Sequence, residues 1–135
     1  MPIYQLGDLV PVIPASCYIA PEATIIGQVT LGERVTVMSG AVIRGDNEPV
    51  VIGDGTLIGI QAVVLNNTVV GKDCLVGAGA VLTENKNFPD RAVIFGAPAK
   101  AVREVTEDNL MRMRVSAADY VRRGIQYKKE LKRIG

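Results

Sequence analysis

Between residues 52 and 88, an aliphatic or aromatic residue recurs at every sixth position. The recurring positions are Ile52, Ile58, Val64, Val70, Val76, Leu82 and Phe88. Glycine follows most of these residues, and the fifth position of each hexad is small until Lys86. A six-residue period fits neither an α-helix nor a lone β-strand, whose periods are about 3.6 and 2.

Such a period is typical of a parallel β-helix, in which each hexad supplies one short strand and one bend. Three hexads close a triangular coil of about 18 residues, so the residues six apart fill the axis and the small ones fit the corners. The spacing predicts that Ile58, Val76 and Ile94 stack on one face. We therefore predict a mainly β protein, with a β-helix over residues 13–95 and a C-terminal helix.

The same period begins earlier in the chain, with Ile13, Ile19, Ile25, Leu31, Val37 and Ile43. The step from Ile43 to Ile52 is nine, which predicts a three-residue insertion within residues 45–49 that projects as a loop from a corner. Twelve hexads predict about four coils. Residues 1–12, which contain Pro2 and Pro11, are expected to cover the first coil as an extended lead-in without regular pairing.

The pattern changes to a helical one near Thr106. An apolar stripe with steps of three and four runs through Leu110, Met113, Ala117, Tyr120, Gly124, Tyr127, Leu131 and Ile134. Thr106 and Ser116 are both plausible N-caps, so one bent helix or two short helices are possible. We predict a β-helix domain over 1–104 and an amphipathic helix over 105–135, which docks on the β-helix or, alternatively, forms a coiled coil.

The sixth position of each later hexad is expected to face outward, yet it is apolar throughout. The positions are Leu57, Val63, Val69, Leu75 and Val81. A solvated face would not be apolar at every such position, so the C-terminal helix, another subunit or both are expected to cover it. We predict a homotrimer with cyclic symmetry, because a short prism has a small core and one helix cannot cover all of these residues.

The composition excludes several kinds of function. The chain has no histidine, which removes the commonest metal ligand and the commonest general base. A net charge of +1 gives no case for nucleic acid binding, and no apolar run is long enough for a membrane span. The start lacks the pattern of a signal peptide, so we expect a cytoplasmic protein. Cys17 and Cys74 are too few for a disulfide framework.

Several segments resemble the γ-class carbonic anhydrase-like hexapeptide proteins. They are residues 41–46 (AVIRGD), 49–54 (PVVIGD), 70–80 (VGKDCLVGAGA) and 96–103 (GAPAKAVR). The resemblance covers essentially the whole chain, although the hexad alone would also fit many acyltransferases. It implies a left-handed β-helix that assembles as a trimer, with a metal site between subunits built from three histidines.

The chain departs from this pattern at one junction. In the family, the two coils that carry the histidines stand between segments like 53–56 (GDGT) and 57–59 (LIG), which are joined directly here. The resemblance therefore implies that about two coils are missing, together with all three histidines. Asn66 is out of register for a histidine replaced in place.

We predict no catalytic residues, no metal ligands and no cofactor. Arg44 and Asp46 match an Arg-Gly-Asp segment of the family, which implies a structural ion pair near the trimer contact; hydrogen bonding within one subunit is the alternative. The carboxylates of Asp46, Asp54 and Asp73 are single corner residues without the spacing of metal ligands.

Three functions remain open at the level of sequence. The first is a non-catalytic trimeric scaffold, which follows from an intact repeat and an absent histidine set. The second is an acyl-CoA-binding transferase, against which the absent histidine base counts, or a thioesterase that hydrolyses its substrate through Asp or Glu and water. The third is residual carbonic anhydrase-type lyase activity with replaced ligands. A small-molecule ligand cannot be named from the sequence.

Overall fold

A computed structural model describes residues 2–135 as a parallel β-helix of about five coils with a helix after it. The strands are β1 (Ile3–Tyr4), β2 (Tyr18–Ile19), β3 (Thr24–Leu31), β4 (Thr36–Val37), β5 (Val42–Ile52), β6 (Leu57–Ile58), β7 (Val63–Val64), β8 (Val69–Val70), β9 (Leu75–Val76), β10 (Val81–Leu82), β11 (Asn87–Phe88), β12 (Ala92–Gly96) and β13 (Ala99–Glu104), and the helix is α1 (Glu107–Glu130). The predicted fold class is confirmed.

Each coil contributes one inward residue to each of three faces. Face 1 stacks Ile25, Ile43, Val64 and Leu82. Face 2 stacks Leu31, Ile52, Val70 and Phe88. Face 3 stacks Ile19, Val37, Ile58, Val76 and Ile94. These side chains form one apolar core along the axis.

The predicted register of face 3 is confirmed. Ile58 pairs with Val76, and Val76 pairs with Ile94. All three side chains are fully buried. The burial of such aliphatic side chains, at about 1.5–3 kcal/mol each, is the main force that holds the coils together.

The insertion between Ile43 and Ile52 is present but does not form a projecting loop. Gly27 pairs with Gly45, whereas Val29 pairs with Val50, so the extra residues fall between these pairs. They lie inside the continuous strand β5 as a bulge. The backbone regains its parallel partners on both sides of the insertion.

The lead-in pairs more than the sequence predicts, and the count of four coils is too low. Strand β1 pairs in parallel with β3, with Ile3 opposite Ile25, and Val12 forms a bridge with Thr30. Pro2 does not prevent this pairing, because its carbonyl accepts a hydrogen bond of 3.0 Å from the Ile25 amide. Strand β1 and the bridge at Val12 therefore extend the first coil along faces 1 and 2.

The corners of the β-helix share a backbone conformation that repeats every six residues and was not predicted from the sequence. The fourth residue of successive hexads has positive φ at Gly55, Gln61, Asn67, Asp73, Gly79, Asn85 and Arg91. Glycine, asparagine and aspartate are the residues that tolerate this conformation best, so the composition of these positions carried a readable signal. Gly53 serves another need, since a Cβ there would lie 2.7 Å from the Gly71 carbonyl carbon.

The last coil ends in a hairpin that the sequence did not predict. Strand β13 runs antiparallel to β12, with Ala92 opposite Glu104 and Gly96 opposite Ala99. It continues the sheet of face 3 beyond its last parallel strand. The exposed edge of that sheet is thus paired at the end where the chain leaves the β-helix.

A single helix follows the hairpin, so the alternative of a second helix starting at Ser116 is wrong. Thr106 is the N-cap, and its hydroxyl accepts a hydrogen bond from the Asn109 amide while the Asn109 side chain bonds back to the Thr106 amide. Leu131 and Ile134 lie after the end of α1 and are exposed. The predicted stripe therefore ends with the helix, before those two residues.

The helix covers part of face 3. Leu110 and Met113 pack with Val105 against the outward side chains of Leu57, Leu75 and Val93. Val63 lies on face 1 and Val69 lies on face 2, and α1 covers neither of these faces.

The division of the chain into two domains at residues 104 and 105 remains a prediction. Within residues 2–135, the helix α1 is not apolar enough to cross a membrane.

Candidate functional site

Arg44 and Asp46 lie together in strand β5, at the corner between faces 1 and 2. The Arg44 guanidinium donates to Asp46 Oδ2 at 2.9 Å, and both side chains retain access to solvent. The hydrogen bond from Arg44 lowers the pKa of the Asp46 carboxyl, and the same contact raises the pKa of the Arg44 guanidinium. The geometry is that of an ion pair within one protomer; a role at a trimer contact remains a prediction.

Asn66 completes this corner from the next coil. Its Oδ1 accepts hydrogen bonds from the backbone amides of Asn47 and Glu48 at 3.0 and 3.1 Å, and its Nδ2 donates to Asp46 Oδ1 at 3.3 Å. The side chain is 5% exposed. Asn66 therefore holds the bulge in place, a role that the sequence did not reveal because pairing across coils depends on the bulge.

The two cysteines are bonded to backbone carbonyls in different coils. Cys17 Sγ donates to the Gly32 carbonyl and Cys74 Sγ to the Pro89 carbonyl, each at 3.1 Å. Burial is the main cause that raises the pKa of both thiols. Thiols held in this form are poor nucleophiles and poor metal ligands at neutral pH.

The donor atoms of this chain do not fit the zinc site that the family resemblance implies. Zinc requires three or four nitrogen, sulfur or oxygen ligands in near-tetrahedral geometry. Across residues 2–135, no three His, Cys, Asp or Glu residues gather closely enough to hold a metal ion. Asp46 is engaged by Arg44 and Asn66, while Asp54 Oδ1 accepts a hydrogen bond from the Glu33 amide at 2.9 Å.

Two grooves run beside α1, and neither was predicted. One has a volume of about 460 Å³ and lies between the helix and the corner that joins faces 2 and 3. It is bordered by Gly55 on the β-helix and by Ala117 and Ala118 on α1. The other, of about 420 Å³, lies over face 3, is mostly apolar and includes Ile60 and Phe95.

Comparison with known proteins identifies relatives along nearly the whole chain. The family model described as "Bacterial transferase hexapeptide (six repeats)" matches residues 49–84. A carbonic anhydrase of Geobacillus kaustophilus is 30% identical over 166 residues, which cover 93% of this chain and 91% of the relative. The mitochondrial gamma carbonic anhydrase 2 of Arabidopsis thaliana is 24% identical, and the match covers 88% of this chain and 59% of the relative.

Among solved structures, a Bacillus cereus protein proposed to be an acetyltransferase superposes with a TM-score of 0.62. It is 27% identical, and the match covers 96% of this chain and 98% of that one. The similarity to the Geobacillus relative spans both proteins almost completely and agrees with the repeat and the fold. The chain belongs to the γ-class carbonic anhydrase-like family of hexapeptide-repeat proteins.

Proposed function

We propose that this protein is a non-catalytic trimeric scaffold of the γ-class carbonic anhydrase-like family. One observation carries the proposal: the coils are continuous at the junction where the resemblance expects the histidine-bearing coils. Strand β6 (Leu57–Ile58) pairs with β4 on one side and with β9 on the other. Thr56, at the junction, is fully buried, and its hydroxyl donates to the Gly71 carbonyl at 2.7 Å.

A loss of about two coils is part of this proposal. The alignment to the Geobacillus relative extends over 166 residues, whereas this chain has 135, so at least 31 positions of the alignment have no counterpart here. Two coils of about 18 residues would account for a gap of this size. Because each coil of a repeat protein contacts only its neighbours, whole coils can be lost without disturbing the rest.

The proposed trimer is supported by the two faces that α1 leaves open. Val51 and Val69, outward residues of face 2, are 41% and 40% exposed. Val63 and Val81 occupy the equivalent positions on face 1 and are half-buried. These faces meet at the corner of Arg44, and a cyclic trimer requires two such patches because each protomer contacts two neighbours. A cytoplasmic location stays part of the proposal.

Zinc analysis beside a CO2 hydration assay tests the absence of catalysis. The protein is produced with added zinc and dialysed against a weak chelator, with the Geobacillus relative treated in parallel as the control. We expect less than stoichiometric zinc and hydration at the background rate. About one zinc ion per chain that survives dialysis, with hydration above background, would overturn the proposal, since a zinc-bound hydroxide requires a formed metal site.

Acyl transfer is the second candidate, favoured by the likeness to the Bacillus cereus structure over almost the full length of both chains. In this case the protein would bind acyl-CoA, and an acidic residue would activate either an acceptor substrate, which takes the acyl group and releases the CoA thiol, or water, which hydrolyses the thioester. Calorimetry with acetyl-CoA distinguishes the two candidates. Saturable binding together with release of free thiol would favour the enzyme, and the lack of both would favour the scaffold.

A further inference from the structure

The groove of about 460 Å³ beside α1 exists because small residues face each other across it. Gly55 stands at the corner between faces 2 and 3, and Ala117 and Ala118 lie opposite it on the helix. Gly55 adds no side chain to the groove, and the carboxylate of Asp73 lies beside it, where a Cβ on Gly55 would come within 2.2 Å of Asp73 Oδ1. A volume of this size falls within the range of about 300–1,000 Å³ that is usual for small-molecule sites.

The helix supplies the apolar wall of this groove. Met113, which is 7% exposed, packs on the core cluster beneath α1 and also borders the groove. Val121 and the two alanines continue the wall one to two helical turns further on. A ligand with a short apolar body would remove these surfaces from water, which is favourable in proportion to the area covered.

Positive side chains surround the same groove. Arg34 and Lys72 reach it from the corner, and Arg114 reaches it from α1. None of the three forms an ion pair with another of residues 2–135. Two carboxylates, Asp54 and Asp73, also border it.

The cations at the groove outnumber the carboxylates by three to two. Asp54 Oδ1 accepts a hydrogen bond of 2.9 Å from the Glu33 amide. Asp73 Oδ1 lies so close to Gly55 that a Cβ there would meet it at 2.2 Å. Arginine and lysine can extend several donors toward a bound anion.

We propose that this groove binds a small monocarboxylate with an apolar chain, the carboxylate against Arg34, Lys72 and Arg114 and the chain against α1. The site is separate from the corner of Arg44 and from the proposed trimer faces, so it does not depend on the proposed function. Octanoate is the probe, because it combines one carboxylate with an unbranched chain that a groove of this size can hold.

The first experiment titrates the full chain with octanoate and follows the backbone amides by NMR. Octylamine tests the sign of the charge, octanol tests the need for a charge, and acetate tests the need for a chain. We expect octanoate to give saturable shifts centred on Gly55, Ala117 and Ala118. Octylamine and octanol should bind at least about fivefold more weakly, the factor that one lost charge contact would give. Acetate should also bind more weakly, because it has no chain to bury against α1.

Variants then locate the site. Ala118→Leu fills the groove and is expected to abolish saturable binding, whereas Val115→Leu, on an exposed part of the same helix, leaves it unchanged. Arg114→Gln should weaken octanoate binding about fivefold, and Arg112→Gln, whose side chain pairs with Asp108 instead, serves as its control. Thermal melting establishes that each variant is folded.

The proposal is overturned by any of three results. These results are that octanoate gives no saturable shifts, that octylamine binds as tightly as octanoate, or that folded Ala118→Leu binds octanoate as the parent does. Tight octanoate binding with shifts centred on Ile60 and Phe95 would move the site to the other groove and would equally refute the assignment made here.

Discussion

Tyr18 and Tyr120 stack with their ring centroids 5.2 Å apart and their planes 21° from parallel. Tyr18 belongs to β2 in the first coil, whereas Tyr120 lies in the second half of α1. Nearer the start of the helix, Met113 packs against residues of later coils. The helix therefore runs back along face 3 and ties the last coils to the first. Gly124 allows this approach, since a Cβ there would lie 3.1 Å from Tyr18 Cδ2.

Replacing Tyr120 with alanine should loosen the second half of α1 and leave the first half docked. The lost stack is worth about 0.5–1.5 kcal/mol beyond the apolar area it covers. Hydrogen exchange is the measurement, and we expect faster exchange after residue 120 than before it. Met111→Ala, on an exposed part of the helix, is the control. Uniform exchange along the helix in the Tyr120 variant would show that the stack does not hold the helix to the first coil.

Replacing Val76 with aspartate tests the register of the core. Val76 is fully buried between Ile58 and Ile94, so the variant would place an unpaired charge in the axis of the β-helix. We expect a loss of several kcal/mol in the free energy of unfolding, seen as a large drop in the thermal midpoint. Val115→Asp, at an exposed helical position, should change little. A Val76 variant as stable as the parent would show that the register is wrong.

The ion pair of Arg44 and Asp46 predicts a pH dependence of stability. Because the pKa of the Asp46 carboxyl is lowered in the folded state, its contribution is present above the ordinary aspartate range and is lost as the pH falls through the folded pKa. Chemical unfolding of the parent and of Arg44→Gln should differ at neutral pH and converge in acid. The difference is expected to be small, since solvent screens both groups. A difference that grows toward acid pH would contradict the assignment.

Faces 1 and 2, which α1 leaves open, predict which substitutions would disrupt a trimer. Val63→Lys and Val69→Lys place a charge on face 1 and face 2, and each is expected to shift the assembly toward monomers in light scattering at micromolar concentration. Val115→Lys, which lies on α1 and is 59% exposed, should leave the mass unchanged. Retention of the full assembly by both face variants would exclude these faces as the interface.

The sequence was informative where a residue's role is local and periodic. Val76 and Ile94 could be placed because a six-residue repeat fixes the inward positions, and Thr106 could be named as one of two candidate N-caps because of its hydroxyl. The role of Asn66 could not be predicted, because its partners Asn47 and Glu48 belong to a bulge whose path depends on the neighbouring coils.

Neither the hairpin of β12 and β13 nor the groove beside α1 could be predicted from the sequence, for a similar reason. Strand β13 has no repeat of its own and pairs only through β12. The groove depends on Ala117 lying opposite Gly55, a relationship between two elements that neither sequence pattern contains. The positive φ of residues such as Asn67 and Asp73 was different, because their composition carried a signal at every sixth position.

Native mass spectrometry of the protein produced with added zinc tests both the trimer and the loss of the metal site, since one spectrum reports the number of chains and any bound metal. We expect an assembly whose mass is that of three polypeptide chains with no bound metal. An assembly that carries about one zinc ion per chain would contradict the loss of the metal site, and a single chain would contradict the trimer.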